Sequence, residues 1–442
     1  VAGRSLFPWI ACLAIAASVS ALFWPGYLSA DSLDQLAQAR FGITADSHPP
    51  AMSWMWRLLD KIAGEGGLLA LHQAAYWAGL AWLFTSMAPR AGWRFLPIVL
   101  LAGFFPPVFT LSVTLWKDTA VMVFLLLGFA ALGGLLQDTR RPRWMHALFW
   151  LSFVYAVLVR HNTLPAVLPA LFLYFSAIGG LGRKRAAAAA LVALLALFPL
   201  GGLLARALSI PVGTASQGFI LHDLAALSLS EGKNLFPPER LRVPENQALP
   251  ALAKAFDVQQ VNTLAVGPDA PLRTALTAHE YADLRDAWIR GIVARPGAYL
   301  AHRWRHFADQ IGLREKVFYP MHLTYDAHPR IVLRPAESQL RKGWSEWLWT
   351  TGQSWMFRTY LYALVLIGLL VHGVWRWWSR SATSSDALRT ALVGSGLLYL
   401  LPYFFVSPSC DFRYNSWTVM AAVTGLASMV LRFGTREKNV AT

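Results

Sequence analysis

Apolar runs close to the ~20 residues a helix needs to cross a bilayer recur along most of this chain, with short clusters of arginine and lysine between many of them. That pattern excludes most folds at once. Only 14% of the 442 residues are charged, against about 25% in a soluble domain, so a water-soluble helical protein of this sequence would lack the charge to cover its surface. The expected fold class is an all-α polytopic membrane protein. The net charge of +15 does not point to nucleic acid, because many of the cations sit in the turns between apolar runs, where they orient helices. Cys12 lies inside the first apolar run and Cys410 near the other end, so no disulfide between them is expected.

Expected spans are about 7–24, 68–87, 95–111, 118–136, 145–159, 164–178, 186–208, 356–374, 388–406 and 417–431. Pro106 and Pro107 mark a kink in the third. Residues 52–61 read as an amphipathic helix at the membrane interface. Residues 209–351 are mostly polar and proline-bearing, with helical patterns at 275–294 and 297–311. The chain thus divides into a first membrane module (1–208), an extramembrane segment (209–352) and a second membrane module (353–442). With the N-terminus in the cytoplasm and about ten alternating spans, the compact basic clusters Arg4, Arg90/Arg94, Arg140/Arg141/Arg143, Arg183/Lys184/Arg185, Arg376/Arg380 and Arg432/Arg436/Lys438 all fall inside. The unusual polar groups then gather on the outer face.

Those groups are the candidates. Asp31 and Asp34 follow the first span directly, three apart, which on a helix puts both toward one side. Ser29 is placed to cap that helix, whose dipole would keep Asp31 ionised. Such a carboxylate suits a general base, although solvated loop acids have the same spacing. Asp46 and His48 come next, then Pro49 and Pro50, which set the entry to another helix. Lys117 and Asp118 open the fourth span, Arg160, His161 and Asn162 separate the fifth and sixth, and Asp411, Arg413 and Tyr414 precede the last. Ionisable groups at span ends within a bundle are functional candidates, while snorkelling or structural pairing is the competing explanation. A guanidinium there can hold phosphate bidentately. His222, Asp223, His302, Arg303, Arg305 and His306 fit either an amphipathic helix on anionic headgroups or a site.

The segment SADSLDQLAQA after the first span, DSHPPAMSW (46–54) opening the next helix, and seven spans before a large external segment resemble the GT-C superfamily of integral-membrane glycosyltransferases. The nearest group is that of bacterial relatives of protein O-mannosyltransferases and of the lipid A aminoarabinose transferase. The resemblance covers about 7–208 in layout and is loose beyond. It implies a GT-C-like bundle in the bacterial inner membrane, with the site facing the periplasm. It implies an inverting transfer from a polyprenyl-phosphate-type sugar donor, within the lipid phase, to a lipid, glycan or protein acceptor, by a monomer that binds no nucleic acid. Asp31 takes the place of the catalytic carboxylate, with Asp34 as substitute and Asp46 in support. Arg160, Arg413 and Lys117 would hold the donor phosphate, supported by His48, Asp118, His161, Asn162, Asp411 and Tyr414. Many relatives carry a second acid or an Arg-Tyr pair just after the catalytic acid, where this chain has Ser32 and Leu33. No cofactor is expected and no residue set has metal-ligand spacing; a divalent ion stays open, since relatives differ in using one.

Competing readings are a surface-polysaccharide polymerase or ligase acting through loop arginines such as Arg303 and Arg305, a secondary transporter or lipid flippase, and an assembly protein. The absence of an obvious inverted repeat and the crowding of polar groups on one face tell against transport.

Overall fold

The computed structural model describes residues 7–42, 48–88, 95–208, 210, 216–275, 277–314, 319–333, 335 and 338–436, with side chains as far as 431. Asp46, Arg4, Arg90, Arg94 and Lys438 lie outside the described residues, as do the side chains of Arg432 and Arg436.

Helix is the only regular structure among the described residues; extended pairing is confined to isolated bridges. Each apolar run expected to span is helical to within a few residues. The first module runs through α1 (Phe7–Phe23), α2 (Ala30–Phe41), α3 (Pro50–Ala63), α4 (Gly67–Met87), α5 (Phe95–Gly103), α6 (Pro106–Ser112), α7 (Lys117–Gln137), α8 (Arg143–Val159), α9 (Leu164–Leu173), α10 (Arg183–Leu197) and α11 (Leu200–Ala207). Among the described residues, five helical stretches are long and apolar enough to cross a membrane: Lys117–Gln137, His161–Ile178, Arg183–Ala207, Thr359–Trp378 and Ser384–Val406. A sixth is added if α5 and α6, bent by 70°, form one broken span. The bend falls where Pro106 and Pro107 cannot donate backbone hydrogen bonds.

The centre of the bundle is α7. It is apolar all round, nearly every residue is buried, and its ionisable groups are confined to its first turn. Small residues let its neighbours approach. A Cβ at Gly134 would stand 2.6 Å from the Trp82 ring of α4, and one at Gly128 would stand 2.8 Å from the Phe153 ring of α8.

The pair α2–α3 lies beside this bundle. Helix α2 stops at Gly42, whose φ of +107° is one that a side chain disfavours. On α3, Trp54, Leu58 and Ile62 form an exposed i, i+4, i+8 stripe, while Met52 and Trp56 on the opposite side are buried. That is the pattern of an interfacial helix, four residues longer than the sequence reading. Ser53 Oγ donates to Gln38 Oε1 over 3.1 Å, tying α3 to α2.

Between α11 and the next long apolar helix lie α12 (Gln217–Glu231), α13 (Ala248–Ala255), α14 (Asn262–Ala265), α15 (Ala278–Ala294), α16 (Pro296–Gln310) and α17 (Gln339–Thr351). The expected patterns at 275–294 and 297–311 are α15 and α16; α12 and α17 were not anticipated. Residues of α12, α13, α14 and α15, among them Leu224, Leu252, Leu264 and Leu284, form a second apolar core apart from the bundle. The chain returns through α18 (Thr359–Trp378), α19 (Ser384–Val406) and α20 (Ser416–Arg436). Both cysteines are buried and free.

Candidate active site

Four segments distant in sequence meet at the start of α2. The backbone bridges Tyr27↔Thr114, Leu28↔Tyr325 and Tyr319↔Asp411 bring the end of α1, the entry to α7, the 319–326 stretch and the turn before α20 together. The first turn of α2 is capped from afar: the Ala30 N–H donates to Asp326 Oδ2 over 2.8 Å. Ser29 does not cap the helix as expected. Its hydroxyl instead accepts from the Trp116 indole N–H at 2.8 Å, which locks the residue before Lys117 against the residue before α2.

Asp31 faces Arg413. Nη1 of Arg413 donates to Asp31 Oδ2 over 2.7 Å, and its Nε donates to Asp411 Oδ2 over 3.0 Å. The guanidinium also lies 4.9 Å from the Trp116 ring centre and 5.3 Å from that of Tyr414. Burial by itself would push the Asp31 carboxyl up, but Arg413, then Lys117, outweigh it and hold the group well below the usual carboxylate range. Burial likewise works against the Arg413 cation, and Asp31, Tyr414 and Asp411 overcome it, so Arg413 stays charged. Of the Asp31 side chain, 39% remains accessible, against 12% for Arg413. The pair is anchored on its basic side and open on its acidic side.

Lys117 and His48 form the second edge. Lys117 Nζ donates to His48 Nδ1 at 3.4 Å. Burial first, then the Lys117 charge, lowers the His48 imidazole to about 3, so it is neutral and accepts that proton. Pro49 and Pro50 start α3 directly behind it. Arg160 makes the third edge. It is ion-paired with the fully buried Asp118, donates to Asn162 Oδ1 at 3.1 Å, and stacks 4.6 Å from Tyr414 and 5.3 Å from Tyr403. Tyr414 is thereby shared by the two guanidiniums and itself stacks on Tyr403. The result is a continuous chain from Asp118 through Arg160, Tyr414 and Arg413 to Asp31.

Asp31, His48, Lys117, Asp118, Arg160, Asn162, Asp411, Arg413 and Tyr414 therefore occupy one neighbourhood. Two candidates do not join it. Asp34 is exposed and faces His328, whose Nε2 is 3.5 Å away, rather than sharing the Arg413 side with Asp31. His161 is exposed, and its ring lies over Gly201 of α11. Among the described residues, no group of three or more His, Cys, Asp or Glu side chains could hold a metal ion. The sequence reading missed Trp116, Tyr319, His322 and Asp326. Tyr319 Oη lies 2.5 Å from His322 Nδ1, and both rings flank Trp116. Clustered aromatic and ionisable residues in YPMHLTYD (319–326) were the available signal.

Of the two readings left open for His302, Arg303 and His306, a headgroup-facing surface does not fit these three side chains. All three are buried, and Arg303 is clamped by Asp223, with Nε–Oδ1 and Nη2–Oδ2 both at 2.8 Å. Arg305 alone of that group is exposed.

No family model matches the chain, and no curated protein matches it. One similar solved structure is the crystal structure of ArnT from Cupriavidus metallidurans bound to undecaprenyl phosphate, at 12% identity and a TM-score of 0.34, covering 96% of this chain and 78% of that one.

Proposed function

We propose that the chain is an inverting glycosyltransferase of the bacterial inner membrane, moving a sugar from a polyprenyl-phosphate-type donor to a lipid, glycan or protein acceptor on the periplasmic side. The observation that carries this reading is the Asp31–Arg413 pair, set among Lys117 and Arg160 at the ends of apolar helices. One accessible carboxylate beside the cations Arg413 and Lys117 is what a transfer of this kind requires: a group to take a proton and charges to receive a phosphate.

The acceptor hydroxyl attacks the anomeric carbon, the bond from that carbon to the phosphate oxygen breaks, and the hydroxyl proton passes to Asp31. The polyprenyl phosphate leaves with the bonding electron pair, stabilised by Arg413 and Lys117. In the resting pair Arg413 makes Asp31 a weak base. A donor phosphate competes for the same guanidinium, and drawing Arg413 toward it restores basicity to the carboxylate when substrate is present. Arg160 is committed to Asp118 and Tyr414, so its part is to position Tyr414 against Arg413. An apolar groove of about 390 Å³ between α5, α18 and α20, lined in part by Leu101, Phe105, Tyr362 and Leu426, supports the lipid side of the reading. Helix α20 starts beside Arg413 and lines the groove further along. The ligase reading that uses Arg303 is disfavoured, because that side chain is fully buried and paired.

The test is transfer by the purified full chain from a panel of polyprenyl-linked sugars, with Asp31→Asn compared at each donor. Turnover by the wild type that Asp31→Asn leaves intact would remove Asp31 as the proton acceptor, and turnover that Asp34→Asn leaves intact as well would end the carboxylate mechanism.

A further inference from the structure

The helices α12 and α16 lie side by side and do not close on each other completely. Ala226 on α12 and Ala298 and Ala301 on α16 are too small to fill the space between them, and a cavity of about 550 Å³ remains. That is within the range of small-molecule sites. Leu229 and Phe256 supply apolar wall.

The polar part of the lining is built rather than incidental. His302 is only 7% exposed, and its Nε2 lies 3.3 Å from Asp223 Oδ1. Asp223 is fully buried and fixed in turn by Arg303 and by the Trp288 indole N–H at 2.8 Å. The imidazole is thus packed at the cavity wall with its Nε2 buried on the Asp223 side. Arg305, one helical turn beyond His302 on the same stripe, is exposed and has no partner among the described residues. Arg314 is 46% exposed, and Asp309 is 3.8 Å from it. Two exposed guanidiniums, one of them loosely paired with Asp309, a buried imidazole and an apolar wall line one space.

We propose that this cavity binds an organic phosphate, its phosphate group on Arg305 and Arg314 with His302 beside it, and its apolar body against Leu229 and Phe256. Guanidinium pairs recognise phosphate through paired N–H donors, and the wall selects for an ester over the free ion. The ester is either a lipid headgroup or a soluble metabolite. The site shares no residue with the Asp31 cluster, so it stands whether or not the transferase reading does.

The experiment is equilibrium binding to the purified full chain in detergent, with phenyl phosphate, dihexanoyl phosphatidic acid, dihexanoyl phosphatidylcholine and inorganic phosphate as probes. Phenyl phosphate and the phosphatidic acid should compete for one site and bind about tenfold or more tighter than inorganic phosphate, a difference of one decade in Kd. Tighter binding of the phosphatidic acid identifies a lipid as the source, and tighter binding of phenyl phosphate identifies a soluble ester. The double variant Arg305→Gln/Arg314→Gln should weaken both by about tenfold or more. Ala301→Trp, which fills the cavity without changing charge, should abolish binding of both. Melting temperatures check that each variant is folded. The proposal is overturned by no binding, by phosphatidylcholine binding equally well, by inorganic phosphate binding as tightly as the esters, or by unchanged affinity in both variants.

Discussion

Arg413 Nη1 and Asp31 Oδ2 meet at 2.7 Å although 382 positions separate the two residues. The contact joins the first turn of α2 to the turn before α20, and so ties the two ends of the chain together. It also sets the state of the carboxylate. Asp31 is ionised and accessible, but its electrons are shared with a cation until something else engages that cation.

Replacing Asp31 with Asn preserves size and an acceptor oxygen for Arg413. Transfer should fall by about 10²–10⁴-fold, the usual effect of losing a general base, while detergent stability and donor binding stay close to wild type. Asp34→Asn should be near wild type in turnover, because Asp34 is exposed and faces His328. The opposite ranking of the two variants would move the proton acceptor three residues along α2.

The two arginines should separate by readout. Arg160→Gln leaves Asp118 buried without its cation, in a place where Asp118 Oδ2 already has no hydrogen-bond partner. Breaking such a pair costs about 3–5 kcal/mol, so the variant should unfold at lower denaturant, and Arg160→Gln/Asp118→Asn should recover part of the loss. Arg413→Lys keeps the charge and loses the fork that serves Asp31 and Asp411 together. Its main effect should be a raised KM for donor. Equal stability of wild type, both single variants and the double variant at Arg160 and Asp118 would show that the buried pair contributes nothing.

What could be read from the sequence was what adjacent residues encode. Apolar run lengths marked the helices, Pro106–Pro107 marked the bend, and the position of Asp31 just after α1 singled it out. Partners across the chain were hidden. Nothing near Ala30 indicates that Asp326 caps α2, and nothing near Asp223 indicates that Arg303 will satisfy it from α16. A mostly polar composition therefore concealed α12, whose buried His222 and Asp223 look like surface residues until α15 and α16 cover them. The separation of Asp34 from Asp31 was hidden for a related reason. Three residues along α2 is enough to pass from the face that meets Arg413 to the one that meets His328.

Sidedness is tested by labelling. Cys12 and Cys410 are buried, so a single cysteine at exposed Asn262, at the start of α14, or at Ser381, in the turn after α18, gives the signal. In intact spheroplasts an impermeant maleimide should reach Asn262→Cys and not Ser381→Cys. Reversal of that pattern would place the Asp31 cluster in the cytoplasm and remove the polyprenyl-linked periplasmic donor from consideration.

The pH dependence of stability follows from His48. Its folded value is lowered to about 3, first by burial and then by Lys117, whereas an unfolded histidine titrates near 6.5. Between those values the unfolded chain holds a proton that the folded chain does not, so stability rises with pH across that window. The contribution is complete above about 6.5 and is lost as pH falls toward about 3. Asp31 acts in the same direction but lower: its folded value is depressed by Arg413, so its contribution is present above the ordinary carboxylate value of about 3.9 and disappears only as pH falls further. Melting temperatures of wild type and His48→Gln, measured in detergent from pH 7.5 to 4.5, should therefore converge as the pH drops, because glutamine keeps an acceptor for Lys117 and has no proton to bind. Other buried histidines, His222 and His306 among them, titrate alike in both proteins and cancel in the difference. Parallel melting curves would show that His48 is not held neutral against Lys117, and the second edge of the site would have to be redrawn.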